Sequence, residues 1–203
     1  MMLRLYEHDN RPEDIQRIVD LLEDGGVIVY PTDTLYAIAC SAMKERSIER
    51  ICRIKSLDVK KHRLSIICSD LHMASVYTRF DDRVFKVLKR NLPGPFTFIL
   101  DAGPRLPRVF RNRKEVGVRI PDLPLVQEIV SRLGHPLMSA SVPHDEEMDP
   151  GEYTDPFLIQ EHLEDQVDLI VYTAEGGTEP STIVDCRDDS MEIIRQGLGW
   201  LDE

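Results

Sequence analysis

The sequence predicts a mixed α/β domain. Apolar runs of strand length alternate with amphipathic stretches of helical period. Several of those runs follow one another with no helix between them, which a purely parallel sheet does not allow. The chain has 203 residues, 42% of them hydrophobic. That is enough for one real core, read as a single domain over residues 1–203.

The elements follow in order. Asn10 is placed to cap a helix that Pro12 opens and Gly25 closes, with Ile15, Ile18, Val19 and Leu22 as its apolar stripe. Val27 to Tyr30 reads as a buried strand, stopped by Pro31, which has no N–H for a ladder. A second apolar run covers Leu35 to Cys40. Ser47 to Lys55 is helical, with Ile48, Ile51, Cys52 and Ile54 inward. Ser56 to Arg63 is a basic loop and Leu64 to Cys68 a strand. Asp82 to Asn91 is a helix with Val84, Val87 and Leu88 inward, broken by Pro93-Gly94-Pro95. Strands follow at Phe96 to Leu100 and at Val116 to Ile120, the latter stopped by Pro121. Leu125 to Leu133 is a helix with Gly134 as its stop. Leu137 to Val142 is a strand and His144 to Tyr153 an acidic loop. Phe157 to Leu163 is a short helix; Leu169 to Thr173, Ser181 to Cys186 and Met191 to Arg195 are strands.

Charge is unevenly distributed. The net charge is −11, but residues 144–203 hold 18 acidic and 2 basic side chains, leaving 18 acidic and 23 basic among the first 143. Lys44 to Arg63 carries 8 bases against 3 acids, and Arg105 to Arg119 carries 6 against 1. Such asymmetry suggests one face for a phosphate-bearing partner, although solvated surface charge gives the same count. No apolar run approaches a membrane span, and Met1 to Glu7 has no signal-peptide core. Cys40, Cys52, Cys68 and Cys186 form no C-x-x-C pair and read as buried free thiols of a cytoplasmic protein.

Chemistry concentrates at strand ends. There is no P-loop, G-x-G-x-x-G, H-E-x-x-H or serine-hydrolase order. Instead hydroxyls and cations recur where strands stop: Thr32 and Thr34, Thr97, Arg119, Ser139 and Ser141, Ser181 and Thr182, and Arg195. Hydroxyls with fixed cations suit phosphate or carboxylate. No general base stands out, which fits chemistry by positioning and electrostatics, as in nucleotidyl transfer. Plainer readings stand beside this one. Thr32 and Asp33 suit a turn, Arg119 a buried ion pair, Ser181 a cap, and Thr97 a strand. His144 beside Asp145, Glu146 and Glu147 reads as a solvated acidic loop before a metal site.

The order Gly25-Gly26-x-x-x-x-Pro31-Thr32-Asp33-Thr34-x-Tyr36, Leu92-Pro93-Gly94-Pro95-Phe96-Thr97, Gly117-Val118-Arg119-Ile120-Pro121, Pro180-Ser181-Thr182-Ile183-Val184-Asp185 and Arg195-Gln196-Gly197 resembles the YrdC/YciO family. The likeness runs from about Ile15 to Gly199. It implies an open twisted mixed sheet flanked by helices around a concave basic cleft. It also implies ATP with Mg2+, L-threonine and bicarbonate as ligands, with no tightly bound cofactor. The product would be threonylcarbamoyl-adenylate, used in tRNA modification, and tRNA or double-stranded RNA would lie on the cleft. Carried onto this chain, Thr32, Thr34, Tyr36, Thr97, Arg119 and Ser181 would form the threonine side. Lys55, Lys61, Arg63, Ser139, Ser141 and Arg195 would form the ATP side. Met43-Lys44 to Cys52-Arg53-Ile54 and the acidic loop after Val142 look closer to the YciO branch, and three positions depart from the synthase branch. Lys55-Ser56-Leu57 stands for Lys-x-Arg, Ser139-Ala140-Ser141 for Ser-x-Asn, and Tyr36-Ala37 for Tyr-Gly. Lys60, Lys61 or Arg63 could replace the lost guanidinium. The alternatives are a non-catalytic RNA-binding protein or a hydrolase acting on the same ligands.

Overall fold

Strands and helices alternate through the chain, and the strands gather into one open mixed sheet. The computed structural model describes all residues except 59–61, 112–113, 145–146, 175, 189–190 and 203. Its strands are β1 (Met2–Arg4), β2 (Ile28–Tyr30), β3 (Ala37–Ser41), β4 (Ser65–Ile67), β5 (Thr78–Arg79), β6 (Phe96–Ala102), β7 (Glu115–Arg119), β8 (Leu137–Ser141), β9 (Leu169–Tyr172), β10 (Thr182–Asp185) and β11 (Glu192–Arg195). Its helices are α1 (Pro12–Glu23), α2 (Glu45–Ile54), α3 (Leu71–Tyr77), α4 (Asp82–Asn91), α5 (Arg108–Arg111), α6 (Pro124–Leu133), α7 (Pro150–Thr154) and α8 (Pro156–Leu163).

The strand order is β1-β9-β2-β3-β8-β4-β7-β6-β10-β11, with β5 paired to β6. Parallel pairs (β2 with β9, β4 with β7, β6 with β10) mix with antiparallel ones (β3 with β8, β4 with β8, β6 with β7). One irregularity matters below: the β10–β11 register shifts, so that Arg195 stands opposite Ile183 while Ile193 stands opposite Val184.

Strand alternation divides the core in two. Ile66, Phe98, Val118, Met138 and Val184 face one cluster, to which α2 contributes Ile48, Ile51 and Cys52 and α4 contributes Val84, Val87 and Leu88. The other cluster joins Ile28, Tyr30, Ala37, Ala39 and Leu137 to the stripes of α1 (Ile15, Ile18, Val19, Leu22) and α6 (Leu125, Val126, Ile129, Val130, Leu133). Burying such a stripe is what holds each helix on the sheet, at about 1.5–3 kcal/mol for each large aliphatic side chain. All four cysteines are buried and unpaired with one another. Burial pushes the Cys186 thiol up to about 12, which keeps it protonated. No described helix is long and apolar enough to cross a membrane.

Some local expectations need correction. Arg11, not Asn10, is the N-cap of α1, because the Asn10 side chain closes instead on the backbone of Tyr6 through two hydrogen bonds. The acidic stretch 144–153 is not all loop: Asp149 accepts a hydrogen bond from Gly151 N and starts α7. Helix α3 was not anticipated from the sequence. Only Ala74 in it is buried, so no stripe marks it; its N-cap, Asp70, accepts from Met73 N.

Candidate functional site

A cavity of about 330 Å³ opens on the sheet face opposite α4. That is within the range of small-ligand pockets. It takes Ser65 and Ile67 from β4, Thr97 from β6, Arg119 from β7, Ser139 and Ser141 from β8, and Ile183 from β10. Strand period explains the set. Ile66, Phe98, Val118, Met138 and Val184, one residue removed, point into the core, so their neighbours point to the cavity. Lys55 and Leu57 after α2, Arg63 before β4, Thr34 after β2, Ser181 before β10 and Arg195 of β11 complete the wall.

Arg119 is the most constrained cation. Its Nη2 donates to Asp33 Oδ1 at 2.8 Å and to Thr34 Oγ1 at 2.9 Å. Asp33 is held in turn by the backbone N–H of Asp122 at 3.0 Å. The Nε of Arg119 is buried with no hydrogen-bond partner. A buried guanidinium donor left unpaired is costly, and an acceptor on a ligand would satisfy it. Beside it the hydroxyls of Thr97 and Ser181 are bonded at 2.8 Å, and Arg195 Nη2 donates to Ser181 O at 2.7 Å. Burial, and secondarily the charge of Arg119, lowers the Arg195 pKa. Two guanidinium groups facing one cavity make a field that favours an anion.

The other end is looser. Lys55 Nζ lies 3.5 Å from Ser141 Oγ and 3.3 Å from Val142 O. Burial lowers its pKa. Ser139 is fixed from below by Tyr30, hydroxyl to hydroxyl at 2.7 Å, and burial raises that phenol to about 12, so it stays neutral. Leu57 presents an apolar side chain to the wall between these groups. Arg63 Nε donates to Glu115 Oε1 at 3.1 Å.

Eleven of the twelve residues proposed from sequence fall within the described chain; nine line this cavity and two do not. Thr34, Thr97, Arg119, Ser181, Lys55, Arg63, Ser139, Ser141 and Arg195 line it. Thr32 lies among the described residues off the wall: its hydroxyl donates to Leu35 O at 2.7 Å and accepts from Thr34 N at 3.0 Å, shaping the turn. Tyr36 is likewise off the wall. Strand parity turns its ring into the core, and its hydroxyl donates to Ala174 O at 2.6 Å. Lys60 and Lys61 lie outside the described residues. Arg195 sits with Arg119 and Ser181 rather than with Lys55. Sequence reasoning missed Asp33 as the brace of Arg119, Tyr30 under Ser139, and Ser65 and His144 on the wall. Strand parity could have found Ser65. Among the described residues no cluster of three or more His, Cys, Asp or Glu could hold a metal.

Fold and cavity together define an α/β domain with a cavity lined by cations and hydroxyls on one face of an open mixed sheet. The chain belongs to the Sua5/YciO/YrdC family, described as telomere recombination, which matches residues 20–197. It is 39% identical over 201 residues to the YciO protein of Escherichia coli K12, covering 96% of this chain and 95% of that one. The crystal structure of E. coli YciO superposes with a TM-score of 0.90 at 35% identity, covering 98% of this chain and 96% of that one. A threonylcarbamoyl-AMP synthase of Vibrio vulnificus YJ016 is 30% identical over 189 residues, 91% of this chain and 98% of the relative. Pyrococcus abyssi Sua5, solved with L-threonine, shares the fold at a TM-score of 0.86 and 20% identity, over 97% of this chain and 57% of that one.

Proposed function

We propose that this chain binds ATP and L-threonine in the cavity and joins them with bicarbonate into L-threonylcarbamoyladenylate. The carrying observation is the partnerless buried Nε of Arg119 beside the Asp33–Thr34 brace. It is a fixed donor for a ligand carboxylate, with Thr97 and Ser181 alongside for a ligand amine or hydroxyl. Lys55, Arg63 and Arg195 supply charge for phosphate. The threonine amine would add to the carbon of bicarbonate with loss of water, giving N-carboxy-threonine, and a carbamate oxygen of that species would attack the α-phosphorus in line. The bond from that phosphorus to the bridging oxygen of pyrophosphate breaks, and pyrophosphate leaves with the electron pair. The wall residues bind and orient; none is asked to move a proton.

The cavity's donor set is cationic and hydroxylic, with its brace carboxylate Asp33 already paired to Arg119. It does not suit a resident metal, so Mg2+ enters as part of the ATP substrate. RNA, as tRNA or a double strand, is proposed to dock by its phosphates along the basic rim of the same cleft, with affinity falling steeply as salt rises. Leu57 on the wall favours a second reading, in which ligands bind but the adenylate is not made, or is hydrolysed.

The test is pyrophosphate release with ATP, Mg2+ and bicarbonate, with and without L-threonine, and mass detection of the adenylate. Threonine-dependent release with adenylate present is the expected result. Binding of ATP or RNA without turnover would move the assignment to the second reading. Absence of both ATP and RNA binding at millimolar ligand and low salt would end both.

A further inference from the structure

Glu115, at the start of β7, is only 6% exposed, and nothing in the chemistry above uses it. Among the described residues two guanidinium groups pair with it. Arg63 Nε is 3.1 Å from Oε1, and Arg187 Nη1 is 2.5 Å from Oε2. Arg187 is itself clasped by Asp185, Nε to Oδ1 at 2.9 Å and Nη2 to Oδ2 at 2.6 Å. That clasp raises the Arg187 pKa and lowers that of Asp185, so this pair stays charged. The result is an alternating chain, Asp185–Arg187–Glu115–Arg63. It begins at a second cavity lined by Arg79, Arg83 and Arg187 and ends on the wall of the main one.

Two features of this chain bear on the ligand. Only the Nε of Arg63 is engaged among the described residues, so its two terminal nitrogens remain as a planar fork for two anionic oxygens. A carboxylate against Arg63 would by itself cancel the charge the cavity needs. Arg187 shares that carboxylate, and Asp185 balances Arg187, so Arg63 keeps its pull on an anion while losing its freedom to move.

We propose that Glu115, braced by Arg187, is a positioning residue that holds Arg63 as the phosphate-gripping guanidinium of the cavity, in place of the one that Leu57 does not supply. The inference rests on the nucleotide reading of the cavity. Its ligand class is the triphosphate of ATP, and its selectivity is for the phosphate end and not for the amino acid.

The experiment is calorimetric titration of the whole chain with MgATP and, separately, with L-threonine, on wild type, Arg63→Ala, Glu115→Gln, Arg187→Met and the double variant Glu115→Gln with Leu57→Arg. Arg63→Ala and Glu115→Gln are expected to weaken MgATP by ~10-fold or more, the size of a lost charge-assisted contact, with L-threonine affinity within ~2-fold of wild type. Arg187→Met should weaken MgATP less. The added arginine at position 57 should restore MgATP binding to Glu115→Gln, which repair of mere structural damage would not do. Unchanged MgATP affinity in both Arg63→Ala and Glu115→Gln overturns the proposal, as does a parallel loss of L-threonine binding in every folded variant. If Glu115→Gln does not fold, Arg63→Ala and Arg187→Met decide the matter on the same criteria. Wild type that binds no MgATP overturns the nucleotide reading instead. Inorganic tripolyphosphate then serves as the probe, and indifference of its affinity to Arg63→Ala overturns the positioning role too.

Discussion

The two ends of the cavity differ in how firmly the protein holds them. At one, Arg119 is gripped over 2.8 and 2.9 Å, and Ser181 is tied to Thr97 and Arg195 over 2.8 and 2.7 Å. At the other, Lys55 reaches its protein acceptors only at 3.3 and 3.5 Å. Short charge-assisted bonds fix a geometry before any ligand arrives, whereas long ones leave it to the ligand. The braced end should therefore select its ligand by shape and be coupled to folding. Lys55 should contribute charge and be nearly uncoupled from folding, unlike Arg63, which Glu115 holds.

That contrast breaks first, if it breaks, at Arg119→Ala. The substitution strands Asp33, whose side chain is 9% exposed, and breaking a buried pair in this way costs about 3–5 kcal/mol. Urea unfolding should show that loss, and threonine-dependent turnover should fall by at least ~100-fold; a stable but merely inactive variant would show the brace to be functional only. Ser181→Ala comes next. It leaves the buried Thr97 hydroxyl without its partner at a cost of about 1–3 kcal/mol, measurable in the same unfolding curves. Lys55→Met should move stability by no more than ~0.5 kcal/mol yet weaken MgATP by ~10-fold, the reverse of Ser181→Ala.

Lys55 also sharpens the contrast through pH. Its pKa is lowered in the fold by burial, so folding favours the neutral amine. As pH rises from the folded value towards 10.5, its contribution to stability improves while the charge available to phosphate disappears. MgATP affinity should thus decline at a pH where an ordinary lysine would still be charged, and Lys55→Met should remove that decline. The smallest effect belongs to Trp200→Ala. Its side chain is 83% exposed, and thermal melting should change by less than the equivalent of ~0.5 kcal/mol.

What could be read from the sequence follows the physics that writes it. The stripes of α1, α2, α4 and α6 were legible because burial enforces a period of 3.6. The end of β2 was legible because Pro31 cannot pair, and Gly134 as a stop because its φ of +75° suits glycine. Helix α3 was not, since only one of its residues is buried. In the site, Thr97, Ser139 and Arg119 could be found as polar residues on apolar strands. Asp33 could not be matched to Arg119, because 86 residues separate them and no local pattern records such a pair. Tyr36 was misplaced for a related reason. A phenol after a strand end reads as cleft wall, but the parity of the following strand sends it into the core.

The shifted register between β10 and β11 has a consequence of another kind. Continued without the shift from the Val184–Ile193 pair, the ladder would put Ile194 opposite Ile183, and Arg195 opposite Thr182 on the reverse face. One supernumerary residue therefore decides whether that row of the cavity ends in a hydrocarbon or a guanidinium. At this edge the charge of the site is set by how many residues the strand contains, and an insertion or deletion there would change ligand chemistry without altering any residue on the cavity floor.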